Sequence, residues 1–253
     1  MKDCGRSSGR RSWSGALAGS LGLVLLTLCA PAAAQPAPQH LILVVFGDSQ
    51  AQGLAYGLSR VLIANPRIRV LNRTRPGAAL VHGPAEGIAP IRRFLAQDKA
   101  DIAVVMFGAN DRIDMPVGDS GRFLRFRTPE WRTEYVKRVD GIMKALTAAG
   151  LHVIWCGNPI ARSPTYSADM SYINQIFAEE AARFSIRFVP LWTAVADPDG
   201  HYTAYGKDRD GVTRRLRTDD GIHFTAAGYE LVAEKLAALL PATAINAAAQ
   251  SAP

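Results

Sequence analysis

Cysteine is the scarcest resource in this chain, with three in 253 residues, at positions 4, 29 and 156. Two of them fall in an N-terminal stretch that reads as a removable leader. Cys156 would then stand alone, which excludes an intramolecular disulfide framework. It lies in the apolar run Val153-Ile154-Trp155-Cys156, where a buried, inert thiol is expected. Histidine is also sparse: positions 40, 82, 152, 201 and 223. Five scattered imidazoles do not supply the converging ligands of a two-metal centre, so a metal-dependent phosphoesterase is disfavoured and no metal or other cofactor is expected. Beyond residue 34 no apolar run is long enough to cross a bilayer, and no internal repeat is visible.

The first 34 residues have the three parts of a secretory signal peptide. Lys2, Arg6, Arg10 and Arg11 give a basic start, residues 16–30 are apolar, and Ala32-Ala33-Ala34 offers a small-residue cleavage site. Cleavage after Ala34 would leave 219 residues, enough for one domain with a full core. Arg10-Arg11 raises twin-arginine export as the route. A periplasmic or secreted location follows. The leader holds four of the 29 Lys and Arg and one of the 22 Asp and Glu, so the remainder carries +4 where the whole chain carries +7. That modest charge does not point to nucleic acid. Oligomeric state has no signature in the sequence.

Residues 35–39 form a Pro/Ala linker, residues 40–240 a single domain, and the Ala-rich segment 241–253 a disordered tail. Within the domain, continuous apolar runs at 40–46, 101–107 and 151–156 read as strands buried on both faces. Further strands are expected at 68–72 and 186–191. Helical spacing of apolar residues places helices at 50–64, 89–97, 130–149, 168–184 and 225–240. Strict alternation of strand and helix predicts an α/β fold, a three-layer α/β/α sandwich around a five-stranded, mostly parallel sheet. Two stretches, 112–129 and 192–219, are long for loops, a length often found beside binding sites.

Three short motifs sit at the ends of these elements: Gly47-Asp48-Ser49-Gln50, Gly108-Ala109-Asn110-Asp111 and Asp220-Gly221-Ile222-His223. Ser49 follows a strand and opens a helix, where free backbone N–H groups favour negative charge. Asp48 or Ser49 would serve equally as a plain helix cap. Asp220 lies three residues before His223, within reach of its Nδ1. Nε2 is then free to take a hydroxyl proton. The bland alternative is a surface histidine beside a turn. Asn110 offers a side-chain amide and Gly77 a backbone N–H that a substrate can approach closely. Each is also an ordinary loop residue.

Taken together, Gly-Asp-Ser near the start, an isolated glycine, Gly-x-Asn-Asp in the middle and Asp-x-x-His near the end resemble the SGNH hydrolase superfamily, or GDSL-type esterases and lipases. The likeness runs from about residue 40 to 240. It is densest at Asp-Gly-Ile-His-Phe-Thr-Ala-Ala-Gly-Tyr (residues 220–229). The resemblance implies a flavodoxin-like α/β/α fold and a serine esterase. It implies Ser49 as nucleophile, Asp220 and His223 as the other catalytic residues, and Ser49, Gly77 and Asn110 as oxyanion donors. Two departures stand out. Gln50 replaces the usual aliphatic residue after the serine, and the segment around Gly77 reads Arg-Pro-Gly. The expected substrate is a small-molecule or glycan ester, such as an O-acyl group on an envelope polysaccharide. Acyl transfer to a sugar would use the same residues.

Arg112, next to Asp111, is a candidate substrate-facing charge. Arg214, Arg215 and Arg217 could meet an anionic substrate or form a solvated loop. The alternation in residues 122–127 reads as a strand or loop with one wet face. Trp131 and Tyr166 could stack on a sugar or simply pack.

Overall fold

A computed structural model describes residues 40–118 and 120–241. The expected signal peptide, the linker and all but the first residue of the expected tail lie outside the described residues. In chain order the elements are β1 (Leu41–Gly47), α1 (Ser49–Val61), β2 (Ile68–Asn72), a 3-10 turn (Leu80–His82), α2 (Ile88–Gln97), β3 (Ile102–Met106), β4 (Met115–Pro116), β5 (Phe123–Leu124), α3 (Pro129–Ala148), β6 (His152–Cys156), α4 (Pro164–Arg183), β7 (Arg187–Val189), β8 (Tyr205–Lys207), β9 (Thr213–Arg215) and α5 (Ala226–Ala237). No helix among the described residues is long and apolar enough to cross a membrane.

Five strands form one sheet in the order β2-β1-β3-β6-β7, every pair parallel. Position explains composition. β3 sits at the centre and all five of its residues are buried. Period-two alternation sends the two halves of each strand to different cores. Val44, Phe46, Ala103, Val105, Val153 and Trp155 join the core that includes residues of α2, α3 and α4. Leu43, Val45, Val104, Met106, Ile154 and Cys156 pack with α1 and α5. The result is the three-layer sandwich that the strand–helix alternation predicts.

The structure revises several boundaries. α4 starts at Pro164, four residues before the expected Ala168. Ser163 caps it by accepting from the Tyr166 N–H, and proline fills the first turn, where its missing donor costs nothing. α5 ends at Ala237, before the expected 240. The two long irregular stretches hold antiparallel ribbons, β4 with β5 and β8 with β9. Strands of two or three residues are too short to show an alternating pattern. The 122–127 alternation lies partly in β5, where Phe123 is exposed, while Phe126 packs edge-on against Trp131.

α1 and α5 approach closely because α1 carries two glycines on the shared face. A Cβ at Gly57 would lie 2.4 Å from the backbone oxygen of Tyr229, and one at Gly53 would lie 2.0 Å from the Tyr229 ring. Alanine favours a helix over glycine by about 1 kcal/mol, yet here it meets backbone that cannot swing aside. Gly57→Ala is therefore expected to destabilise by about 1–3 kcal/mol. Chemical denaturation checks this, and a stabilised variant would refute the packing account.

Candidate active site

The three motifs meet at the carboxyl edge of the sheet. Ser49 Oγ lies 2.7 Å from His223 Nε2, and His223 Nδ1 lies 2.6 Å from Asp220 Oδ2. Ser49 and His223 are half-buried. The other oxygen of Asp220 accepts from the Thr218 hydroxyl (2.6 Å) and from the N–H groups of Ile222 (2.8 Å) and His223 (3.0 Å). Burial alone would raise the Asp220 carboxyl. Hydrogen bonds from Thr218, His223 and these backbone groups outweigh it and hold the group far below the usual range. Asp220 therefore remains an anion facing the imidazole. Thr225 caps α5 through the Gly228 N–H, so the helix begins three residues after His223.

Gly77 follows β2 with φ 78°, and a Cβ there would meet nothing within 4 Å, so backbone conformation and not space calls for glycine. Asn110 donates through Nδ2 to the Ala78 carbonyl at 3.0 Å, which ties the loops after β2 and β3 together. One N–H of that amide stays available. The backbone N–H groups of Ser49 and Gly77 have no acceptor among the described residues.

Two carboxylates whose role the sequence did not reveal lie beneath these loops. Asp48 is fully buried. Its two oxygens accept from the Gln50 N–H (2.9 Å) and the Ala109 N–H (3.2 Å). Asp111, also fully buried, accepts from the Val81 N–H (3.0 Å) and the Tyr135 hydroxyl (2.7 Å). Burial pushes Asp48 up to about 7, against the Gln50 N–H, with the charge of Asp111 adding to the rise. Burial likewise takes Asp111 to about 6, against Val81 and Tyr135. Their spacing in the Gly-Asp-Ser and Asn-Asp motifs was visible, but three of their four partners are 24 to 61 residues distant.

The other singled-out residues divide. Arg112 donates to Asp169 (2.9 Å), lies 5.3 Å over the Tyr166 ring, and remains partly exposed. Asp169 also pairs with Arg127 at 2.9 Å. Arg214 pairs with Asp208 and Arg215 with Asp219. Arg217 is fully buried and is neither a substrate-facing charge nor part of a solvated loop. Trp131 is fully buried too, its Nε1 donating to the Ile113 carbonyl, which removes it from any sugar platform. Tyr166 donates to the Ala109 carbonyl. Cys156 is buried and its thiol is pushed up to about 12 by burial, which leaves it unreactive. One group of possible metal ligands occurs among the described residues, Asp197, Asp199 and His201, with ligand atoms within 4.8 Å of one another. His201 therefore has two carboxylates nearby, one of them Asp199 in an Asp-x-His spacing, which scattered histidines alone do not suggest. Asp197 Oδ1 is already occupied by the N–H groups of Asp199 and His201, as in a loop-shaping aspartate.

A groove of about 520 Å³ has Arg162, Trp192 and Tyr202 among its walls and meets the Asp220–His223 turn through Arg162, while none of Ser49, Asp220 and His223 lines it. The Arg162 N–H donates to the Gly221 carbonyl at 2.9 Å, which fixes the groove against that turn.

The chain belongs to the family described as "Protein of unknown function (DUF459)", which matches residues 42–239. A comparison with curated protein sequences found no match. Solved structures similar to this one include TesA (21% identity, 79% of this chain and 97% of that one, TM-score 0.54). An acetyl xylan esterase, AlAXEase, shares 16% identity over 79% of this chain and all of that one, with a TM-score of 0.55. A GDSL-like lipase from Bacteroides thetaiotaomicron VPI-5482 shares 15% identity over 81% and 90% of the two chains, with a TM-score of 0.51. At these identities the likeness establishes the fold alone, a three-layer α/β/α sandwich shared with these structures.

The shifted carboxyls carry a prediction about pH. Asp48 and Asp111 are raised on folding, so the stability they contribute is complete below the ordinary carboxylate range and is lost as pH climbs through about 6 and 7. Asp220 is lowered, so its contribution is present above the ordinary range and lost in acid. The melting temperature is expected to peak near pH 4, within the ordinary carboxylate range, and to fall by several degrees by about pH 7. A melting temperature that climbs steadily from pH 5 to 8 would contradict this.

Proposed function

We propose that this protein is an exported serine esterase that hydrolyses carboxylic esters through an acyl-enzyme. The observation that carries the reading is the continuous chain of short contacts Ser49–His223–Asp220, set at the carboxyl edge of a parallel sheet where ligands of such folds bind. The Ser49 hydroxyl attacks the ester carbonyl while its proton passes to His223 Nε2. Asp220 holds the ring tautomer and stabilises the imidazolium. The carbonyl oxygen, now negative, is met by the N–H groups of Ser49 and Gly77 and by the Asn110 amide. His223 returns the proton to the departing alcohol, leaving the acyl group on Ser49. Water then attacks that ester, giving its proton to His223, and Ser49 regains its own as the acid leaves.

The neighbours described as an acetyl xylan esterase and a GDSL-like lipase support ester chemistry for this fold. In our reading the alcohol portion lies in the groove beside Arg162, Trp192 and Tyr202. A half-exposed tryptophan beside an arginine suits a sugar ring. Together with the N-terminal signal, this favours an O-acyl group on a glycan of the cell envelope, in the periplasm or outside the cell.

Ser49→Ala is expected to keep the fold and to lose at least about a thousand-fold in turnover of p-nitrophenyl acetate. A fluorophosphonate probe should label the parent protein at Ser49 and leave the variant untouched. Equal turnover by the variant would remove the esterase reading.

A further inference from the structure

We infer that Gln50 and Arg217 are positioning residues for His223, acting through the carbonyl oxygen of Ile222; the inference rests on the esterase reading. Two buried side chains from distant parts of the chain converge on that single oxygen. Gln50 Nε2 donates to it at 2.8 Å and Arg217 Nη2 at 3.0 Å. Ile222 immediately precedes His223. Holding its carbonyl therefore fixes the peptide plane from which the imidazole projects.

Gln50 is 1% exposed and directly follows Ser49. The serine turn and the histidine turn are thus joined at two adjacent points, Ser49 Oγ to His223 Nε2 and Gln50 Nε2 to Ile222 O. The far end of the amide is also fixed, because its oxygen accepts from the Tyr229 hydroxyl at 3.0 Å. Tyr229 lies on α5, the helix that begins just after His223. An aliphatic residue at position 50 would pack in several loop positions with little preference. A buried amide is satisfied in one, since an unpaired donor there would cost its full desolvation.

Arg217 is the less expected partner. It is fully buried and forms no ion pair with a carboxylate among the described residues. Its Nη2 bridges Ile222 O and, at 2.7 Å, the Ile160 carbonyl on the neighbouring loop. The rings of Phe224 and Tyr202 face the guanidinium at 4.3 and 5.1 Å, and its Nε and Nη1 lack hydrogen-bond partners. For packing alone, an apolar side chain of similar volume would be at least as stable as a buried charge. What the guanidinium adds is a donor that spans two loop carbonyls. The Arg217–Phe224 bridge closes the 218–223 loop on its backbone, and the two side chains anchor that closed loop to α1 on one side and to the segment after β6 on the other.

The test is steady-state kinetics on p-nitrophenyl acetate together with fluorophosphonate labelling rates, in the full chain, each expressed per folded molecule. Gln50→Met keeps the volume and removes the donor. It is expected to lower kcat and the labelling rate by about ten- to hundred-fold with KM unchanged within twofold, because an imidazole displaced by an ångström still lets substrate bind. Gln50→Glu, which is isosteric but presents an acceptor to Ile222 O, should lose at least as much. Arg217→Lys, able to keep one carbonyl contact, should retain more activity than Arg217→Met. Wild-type kcat per folded molecule in Gln50→Met or in Gln50→Glu overturns the inference, as does a loss confined to KM. Failure of the parent protein itself to turn over ester or take the probe would instead sink the esterase reading, so the two failures are told apart.

Discussion

The carboxylate of Asp48 is the contact on which the edge of the sheet depends. It is fully buried at the point where β1 ends, with one oxygen on the first turn of α1 and the other on the loop after β3. The two strands are already in register through Gly47 and Met106, and the Asp48 N–H donates to the Met106 carbonyl. The side chain extends that register one residue past the sheet into irregular backbone. From there the bracing propagates. Asn110 reaches the loop after β2, and Asp111 reaches the 3-10 turn and α3. The irregular backbone after β2 and β3 is held by side chains that partner its buried polar groups, Asp48 and Asp111 accepting from N–H groups and Asn110 donating to a carbonyl.

The histidine turn is braced differently. It comes from the other end of the chain and shares no strand with the serine turn. Its order is internal: Asp220 takes three hydrogen bonds from its own turn before it meets the imidazole. Its docking onto the sheet relies on α5, which packs against α1 over two glycines. Tyr229 belongs to both arrangements, since its backbone sits against Gly57 and its hydroxyl holds Gln50. The helix pair and the site geometry are therefore one mechanical unit, and a substitution in the α1–α5 seam acts on the site without touching it.

Much of this fold was legible because its physics is local or periodic. A strand buried on both faces must be apolar throughout, and β1, β3 and β6 announce themselves in that way. Capping is local as well; Thr225 reads directly, whereas Ser163-Pro164 carried an equally clear start signal for α4 that the apolar periodicity from Ala168 masked. What stayed hidden depends on partners far along the chain. Nothing near Arg217 distinguishes it from Arg214 and Arg215, yet one is fully buried and the other two pair at the surface. The residue types of the candidate site could be picked out from their motifs. The acceptors beneath them could not, because Asp48 and Asp111 differ from ordinary turn aspartates only in what later folds over them.

The carboxylates around the site fall into two kinds, and environment alone separates them. Asp220 is half-exposed at its side chain and saturated with donors, so its charge is favoured. Asp48 and Asp111 are fully buried, close enough for each charge to disfavour the other, and have two donors apiece. A proton relay needs the first kind, because an orienting carboxylate that took up a proton would release the imidazole tautomer it is there to hold. Scaffolding tolerates the second kind, since a neutral carboxyl still accepts a backbone N–H through its carbonyl oxygen. Reversing the two environments would leave the motifs intact in sequence and the proposed chemistry without its anion. The depth of burial at each aspartate, set by the layers of the sandwich, therefore decides which of them can serve a reaction and which can only hold its walls.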